Sequence, residues 1–157
     1  MSMGEPLKRR LKQSRFENPQ HEAILNLMVA ASHVRARLEQ VCAEHGITEG
    51  QYNALRILRG AHPDGYPRCE IARRLIERAP DVTRLIDRLE KQGLVERARS
   101  GEDRRLSITL ITRKGLQVLE RMQPEMSTVH HELIDRLPDQ DALELSRICE
   151  SIYDVEA

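Results

Sequence analysis

The stretch VTRLIDRLEKQGLVERARSGEDRRLSITL (residues 82–110) changes from a helical to an extended hydrophobic period within one short segment. Its first part places apolar residues three and four positions apart until Gly93, which predicts an amphipathic helix. Its second part predicts two strands, residues 94–99 and 106–111, with a turn at Gly101. The stretch therefore predicts a helix followed directly by a β-hairpin whose tip is densely charged.

The polar side of this predicted helix is basic. Arg84, Arg88 and Lys91 lie opposite the apolar residues, together with Asp81 near the start. Most charged helix faces are simply solvated, so the arginines alone do not establish a binding surface. Asp87 lies among these cations, and we expect it to pair with a basic neighbour in the direction of the hairpin.

A short helix is predicted just upstream, in RCEIARRL (residues 68–75). A short helix, a turn and a longer arginine-bearing helix follow the order of a helix-turn-helix, and the hairpin behind them makes a wing. In such a fold the longer helix enters the major groove, while the wing lies over the phosphates or the minor groove. The sequence thus predicts a DNA-binding lobe with these candidate contacts: Arg68, Thr83, Arg84, Arg88, Asp103, Arg104 and Arg105.

Two further helices are predicted on the N-terminal side of the helix-turn-helix. Asn18 followed by Pro19 opens a long amphipathic helix that ends near Gly46. Thr48 and Gln51 form a capping-box pattern that opens a second helix, which ends at residue 60. The segment AHPDGYP (residues 61–67) is predicted to be a loop.

Two further helices are predicted after the hairpin. Thr112 is expected to cap a fifth helix that extends to Leu137. A sixth helix, beginning at Asp139 after Pro138, carries an apolar set: Leu143, Leu145, Ile148, Ile152 and Val155. The predicted fold class is mainly α with a small β-hairpin wing, a winged helix-turn-helix with N- and C-terminal dimerisation helices.

Composition agrees with a helical domain that has an aliphatic core. The 157 residues are 32% charged and 3% aromatic, and they include no Trp. The net charge is zero, but residues 1–15 carry +4, residues 68–105 carry +3, and residues 120–157 carry −7. A neutral total therefore conceals a basic front, which suits nucleic acid, and an acidic tail.

The cysteines and the N-terminal residues favour a cytoplasmic protein. Cys42, Cys69 and Cys149 are widely spaced and form no CxxC pair, so neither a disulfide framework nor a zinc site is indicated. No apolar run is long enough for a membrane span or resembles a signal peptide. His130 and His131 are neighbours on a helix and point about 100° apart, so we expect no metal site, and His131 is expected to pair with Asp135.

Four motifs resemble the MarR-type winged-helix regulators: ITEGQYNALRIL, EIARRL, VTRLIDRLEKQGLVER and DRRLSITLITRKG. The resemblance runs from about Ala23 to Leu137. It implies a homodimer on a pseudo-palindromic operator, with the first, fifth and sixth predicted helices at the dimer interface. It also implies that the wing-tip D-x-R motif, here Asp103 and Arg105, places its arginine in the minor groove, where the acid would orient the guanidinium.

The chain departs from the family pattern at several positions. Pro67 stands where Thr or Ser usually caps the third helix, and Glu77 replaces an apolar residue of the turn. Gln20 and His21 stand near the place where peroxide-responsive members carry a reactive cysteine, and the Trp of urate-responsive members is missing. Both of these inducer classes are therefore disfavoured.

Two polar pairs are candidates for an effector site. His33 and Arg37 are four residues apart on the first predicted helix, and Tyr52 and Arg56 have the same spacing on the second. Family members often bind small ligands between the dimer helices and the DNA-binding lobe. These four residues could therefore hold an anionic aromatic compound, while ordinary contacts between helices are an equally good interpretation.

The predicted organisation is a basic arm (residues 1–17), a dimerisation helix (18–46), the DNA-binding lobe (47–112) and C-terminal dimerisation helices (113–157). The leading hypothesis is a homodimeric, ligand-released transcriptional repressor without a cofactor or catalytic activity, whose partner is double-stranded operator DNA. The alternatives are a winged helix used only for protein contacts and a repressor that responds to thiol oxidation. An enzyme is disfavoured because the sequence contains no GxSxG, HExxH or phosphate-binding glycine loop.

Overall fold

The computed structural model describes residues 4–77, 81–99 and 107–154, which form a mainly helical fold with a small sheet. The helices are α1 (Glu5–Leu11), α2 (Pro19–Glu44), α3 (Glu49–Gly60), α4 (Arg68–Arg74), α5 (Val82–Lys91), α6 (Arg113–Ile134) and α7 (Asp139–Tyr153). The strands are β1 (Tyr66–Pro67), β2 (Val95–Arg99) and β3 (Ser107–Ile111). The predicted fold class is confirmed.

The chain divides into two compact units, residues 1–40 and 41–157. The first unit contains α1 and most of α2. The side-chain oxygen of Asn18 accepts a hydrogen bond from the His21 backbone N–H at 2.8 Å, as expected for the cap at the start of α2. Helix α1 was not predicted from the sequence of the basic arm. Seven residues are too few to show a helical period.

Side-chain caps fix the helices of the second unit where the sequence places them. The Thr48 hydroxyl accepts from the Gln51 backbone N–H at 3.2 Å, and the Gln51 side chain accepts from the Thr48 backbone N–H at 2.9 Å, which completes the predicted capping box. Thr112 caps α6. The prediction that this helix reaches Leu137 is wrong, since α6 ends at Ile134 and the residue before Pro138 is driven out of the helical region.

The sheet has three antiparallel strands in the order β1-β3-β2. Strands β2 and β3 are the predicted hairpin, with Arg97 opposite Thr109. The prediction of a loop throughout residues 61–67 is wrong at its end, because Tyr66 and Pro67 pair with β3. Two residues cannot show a strand period, and their partner lies about forty positions away in the sequence.

The core of the second unit lies among α3, α4, α5, α6 and the sheet. Most of its residues are aliphatic or methionine, as expected for a chain that is poor in aromatics. The core residues that are no more than 2% exposed include Leu55, Leu58, Ile71, Ile86, Leu89, Val95, Met122 and Met126. Burial of these side chains from four helices and a strand holds the lobe together.

Helix α7 differs from the other helices of this unit because none of its residues is buried. Leu145, Ile148 and Ile152 are all more than 40% exposed although they are large and apolar. Across the described ranges, no helix has both the length and the hydrophobicity required to cross a bilayer.

The start of α6 lies directly against the base of the hairpin. The Thr112 hydroxyl donates to the Gly93 carbonyl at 2.7 Å, and its backbone N–H donates to the Leu94 carbonyl at 3.0 Å. Gly115 is buried there, and a β-carbon at this position would collide with the Leu94 carbonyl and lie 2.8 Å from the Ile111 side chain. The close approach of helix and hairpin therefore requires glycine.

We expect Gly115→Ala to lower the free energy of unfolding by about 1–3 kcal/mol, because the added methyl group forces the helix away from the hairpin. Urea denaturation would measure the change. Gly60→Ala is the matched control, since a β-carbon at that helical glycine meets nothing within 4 Å. The control should be neutral or stabilising by up to about 1 kcal/mol, and an equal loss in both variants would contradict the role given to Gly115.

Candidate nucleic-acid interface

Helix α5 begins with a cap that also holds an arginine. The Asp81 carboxylate accepts from the Arg84 backbone N–H at 3.0 Å, and its other oxygen lies 3.0 Å from the Arg84 side-chain Nε. The Arg84 side chain is 78% exposed despite this ion pair. Because exposed ion pairs are weak, the guanidinium can exchange Asp81 for another anion at little cost.

The outer side of α5 carries further cations. Ile86 and Leu89 are buried, whereas Arg88 and Lys91 are exposed on the outside of the helix. Neither of these two side chains makes a hydrogen bond or an ion pair with any residue that the structure describes. The helix is thus held by its apolar face and presents two available positive charges.

Arg68 and Thr83 join the first turns of α4 and α5. The Arg68 guanidinium donates to the Thr83 hydroxyl at 2.8 Å, so two of the predicted DNA contacts are in contact with each other. Pro67, at the cap position of α4, makes no side-chain cap bond, and the helix still begins at Arg68. The departure at Pro67 therefore removes a cap and does not displace the helix.

The wing is tied to α5 by Arg97 of β2. The Arg97 guanidinium donates to the carboxylate of Glu90 at 2.7 Å and also to that of Asp87. The expectation that Asp87 pairs with a basic neighbour toward the wing is confirmed. The hydrogen bond to Asp87, followed by the nearby Glu90 charge, raises the pKa of Arg97 above its ordinary value.

Arg97 was missing from the sequence-based candidates, and so was Glu90. The available signal was the spacing of Asp87 and Glu90, which places two acids one turn apart on the same side of a helix. Identifying their partner also requires the hairpin register, which brings Arg97 opposite Thr109. That register depends on pairing across the sheet and is not visible in the local sequence.

Three of the predicted contacts lie at the tip of the wing. Asp103, Arg104 and Arg105 fall in residues 100–106, outside the residues that the structure describes. The strands that lead to them end at Arg99 and begin again at Ser107, which are paired in register. The base of the wing is thus defined up to the last pair of β2 and β3.

A cleft of about 500 Å³ lies between α4, α5 and the sheet. Arg68, Thr83, Asp87 and Arg97 line it, together with Cys69. The cleft therefore gathers polar side chains from both helices and from the wing on one surface.

The three cysteines differ in exposure. Cys69 is exposed, Cys42 is buried, and Cys149 is partly exposed.

Two of the candidate effector residues lie in each of the two compact units. Tyr52 is half-buried, and the Arg56 guanidinium lies 5.9 Å from the centre of its ring. Burial raises the pKa of the Tyr52 hydroxyl, and the charge of Arg56 partly opposes this shift. On α2, His33 is exposed, and half-buried Arg37 donates to the Gln40 side chain at 3.4 Å.

The pairing predicted for His131 is wrong. Its Nδ1 lies 2.6 Å from the backbone carbonyl of Ser127, one turn earlier in α6, instead of contacting Asp135. A backbone carbonyl has two lone pairs, so the Ser127 oxygen can accept from the His131 ring in addition to its bond within the helix. Among the described residues, no three His, Cys, Asp or Glu side chains are grouped so that they could hold a metal ion.

Comparison with known proteins identifies relatives that regulate transcription. The model of the MarR family matches residues 47–107. The transcriptional repressor MprA of Escherichia coli K12 is 28% identical over 149 residues, which cover 91% of this chain and 84% of MprA. The crystal structure of a MarR transcription factor from Planctomyces limnophilus is 36% identical, with a TM-score of 0.66, and the match covers 87% of this chain and 98% of that one.

Two more distant structures share the fold. One is Staphylococcus aureus MepR in complex with DNA, which is 20% identical with a TM-score of 0.73 over 85% of this chain and 97% of that one. The other is CouR of Rhodococcus jostii bound to p-coumaroyl-CoA, which is 18% identical with a TM-score of 0.75 over 90% and 99% of the two chains.

Proposed function

The chain belongs to the MarR family of winged-helix, DNA-binding transcription regulators, and we propose that it is a homodimeric repressor released from its operator by a small aromatic or anionic ligand. The observation that carries the proposal is the outer side of α5. Arg88 and Lys91 are exposed there without a described partner, and Arg84 is held only by an exposed ion pair. Cations in this arrangement suit the phosphates and base edges of a major groove.

The remaining contacts are proposed to surround this helix. Arg68 and Thr83, joined at the starts of α4 and α5, would approach a phosphate or a base edge from the helix-turn-helix. From the wing tip, Arg105 would reach the minor groove while Asp103 orients it, and Arg104 would contact the backbone. Most of these contacts fix the position of the protein, and Arg84 and Arg105 are the best candidates for reading sequence.

A second copy of the chain is proposed to cover α7. Leu145, Ile148 and Ile152 are spaced so that they share one side of the helix, and all three are exposed in the single chain. Such an apolar stripe favours association over solvent exposure. A two-fold dimer would separate the two α5 helices by one turn of DNA, roughly 34–36 Å, and the operator would be pseudo-palindromic.

Each part of the chain has a proposed role. Residues 18–46 and 113–157 would supply the dimer helices, residues 47–112 would bind DNA, and residues 1–17 would form a basic arm. MprA is named a repressor, which favours repression by this chain as well. No catalytic role is proposed, since the relatives that define the family are transcription regulators.

The proposed ligand is a phenolic or other aromatic acid. CouR, which shares the fold, binds p-coumaroyl-CoA, and a regulator with the same fold from Bordetella bronchiseptica responds to 6-hydroxynicotinic acid. Tyr52 and Arg56 offer an aromatic ring and a cation on one side of α3, and His33 and Arg37 offer a similar pair on α2. A ligand that prefers a dimer geometry unsuited to DNA would release the operator.

We expect Arg88→Gln to weaken operator binding about tenfold and to reduce the slope of log affinity against log salt by ~0.9, because one phosphate contact is lost. The measurement is a mobility-shift titration on a duplex that the wild-type protein selects from genomic fragments. Arg121→Gln on α6, also an exposed arginine, should leave both quantities unchanged. If the wild-type protein selects no duplex, a module for protein contacts becomes the better interpretation.

We expect Leu145→Glu to convert the dimer to a monomer, because it buries a charge in the proposed interface. Leu143→Glu is the matched control, since Leu143 lies on nearly the opposite side of α7 and is 73% exposed, against 44% for Leu145. Sedimentation velocity would measure both. A dimer that survives Leu145→Glu, or dissociates equally in both variants, would exclude α7 from the interface.

A screen of phenolic and other aromatic acids should yield a compound that raises the thermal midpoint of the protein and releases the selected duplex. Arg56→Gln should weaken both effects, whereas Arg121→Gln should not. The proposal would be abandoned if no compound acts while mild oxidant releases DNA and Cys42→Ser or Cys69→Ser abolishes that release. Such a result would establish thiol regulation instead.

A further inference from the structure

We propose that Arg97 is a positioning residue for DNA recognition, which joins the wing to α5 and offsets part of the charge of two acids beside the DNA-binding surface instead of contacting DNA itself. This inference rests on the proposed DNA-binding function and assigns a part of it to a residue outside the candidate contacts. It starts from the two carboxylates that face the Arg97 guanidinium.

The contact geometry is that of a fork between two acids. One terminal nitrogen of Arg97 donates to Glu90 at 2.7 Å and the other donates to Asp87, one turn earlier on α5. The guanidinium is planar and rigid, so meeting two acceptors at once fixes its direction and that of the strand that carries it. Both terminal nitrogens face carboxylates, and the negative charge of these two acids disfavours the approach of a phosphate to the same guanidinium.

Because Arg97 lies on β2, its contact with α5 restrains the wing. Strand β2 follows α5 after only three residues, and the fork connects the middle of the strand back to the last two turns of the helix. A pivot of the wing about that short connection would break both ion pairs. Arg97 thus helps to fix the angle between the helix proposed for the major groove and the strands that lead to the wing tip.

The charges give Arg97 a second effect. Asp87 and Glu90 are partly exposed and alternate along α5 with Arg84, Arg88 and Lys91. Without a counter-charge these carboxylates would repel the phosphates that the three cations attract. Arg97 supplies one positive charge from within the protein against these two carboxylates, so it offsets part of their repulsion of the DNA phosphates.

Arg99 provides the contrast on the same strand. It lies two residues further along β2 and therefore on the same face, it is exposed, and it has no partner among the described residues. Arg99 is thus free to contact a phosphate, whereas Arg97 is held by two acids. The two arginines are closely matched in type and location, and they are predicted to act differently.

The test compares the two arginines with and without the acids. Affinity and its salt dependence would be measured on a duplex that the wild-type protein selects from a random-sequence library. The variants are Arg97→Gln, Arg99→Gln and Asp87→Asn/Glu90→Gln, together with each arginine variant combined with the neutralised pair. Urea denaturation of every variant would show whether it folds.

We expect Arg97→Gln to weaken binding about tenfold, and its combination with Asp87→Asn/Glu90→Gln to return the affinity to within about threefold of the value for the neutralised pair alone. The salt slope of that triple variant should equal the wild-type slope. Arg99→Gln should reduce the slope by ~0.9, and neutralising the acids should not restore its affinity. Arg97→Lys, which cannot bridge two acids in a fixed plane, should recover only part of the loss.

Two results would overturn the inference while leaving the proposed function intact. One is a triple variant that keeps the full loss of Arg97→Gln together with a slope reduced by ~0.9, because Arg97 would then be a phosphate contact. The other is wild-type affinity in Arg97→Gln. A wild-type protein that selects no duplex would instead refute the proposed function, and the inference with it.

Discussion

Gln92, in the turn between α5 and β2, joins three parts of the second unit by hydrogen bonds. Buried Gln51 donates to the Gln92 side chain at 3.0 Å, the Gln92 amide donates to the Gly46 carbonyl at 3.1 Å, and Lys114 donates to the Gln92 carbonyl at 2.7 Å. The beginnings of α3 and α6 thereby meet at the one place where the chain passes from helix to wing. A buried amide that lost its partner would cost about 1–3 kcal/mol, so this junction is strongly specified.

Several side chains at this junction each make hydrogen bonds to two elements. Gln51 uses its oxygen for the α3 cap and its nitrogen for Gln92, and Thr112 caps α6 while binding the Gly93 carbonyl. Beyond the junction, Arg97 returns from the wing to α5. The helix proposed to read DNA is thus held at its end by hydrogen bonds and along its side by ion pairs, while its outer cations remain available.

The features that could be predicted from the sequence are those that neighbouring residues determine. The capping box at Thr48 and the cap at Thr112 identified helix starts, and the change of period after Gly93 identified the hairpin. Features that depend on distant pairing were not predictable, such as the strand at Tyr66 and the ion pairs of Arg97. At the DNA-facing surface the arginines of α5 could be named from one helix, whereas distinguishing a held arginine from a free one required the register of a sheet.

The order β1-β3-β2 leaves β3 in the centre and β2 at an open edge. An open edge exposes unpaired backbone donors and acceptors on which a strand of another molecule can assemble. Along β2 the side chains include Glu96, Arg97 and Arg99, and charge at such positions opposes edge-to-edge pairing. The charged composition of this strand therefore also disfavours aggregation through the sheet edge, independently of any role in binding DNA.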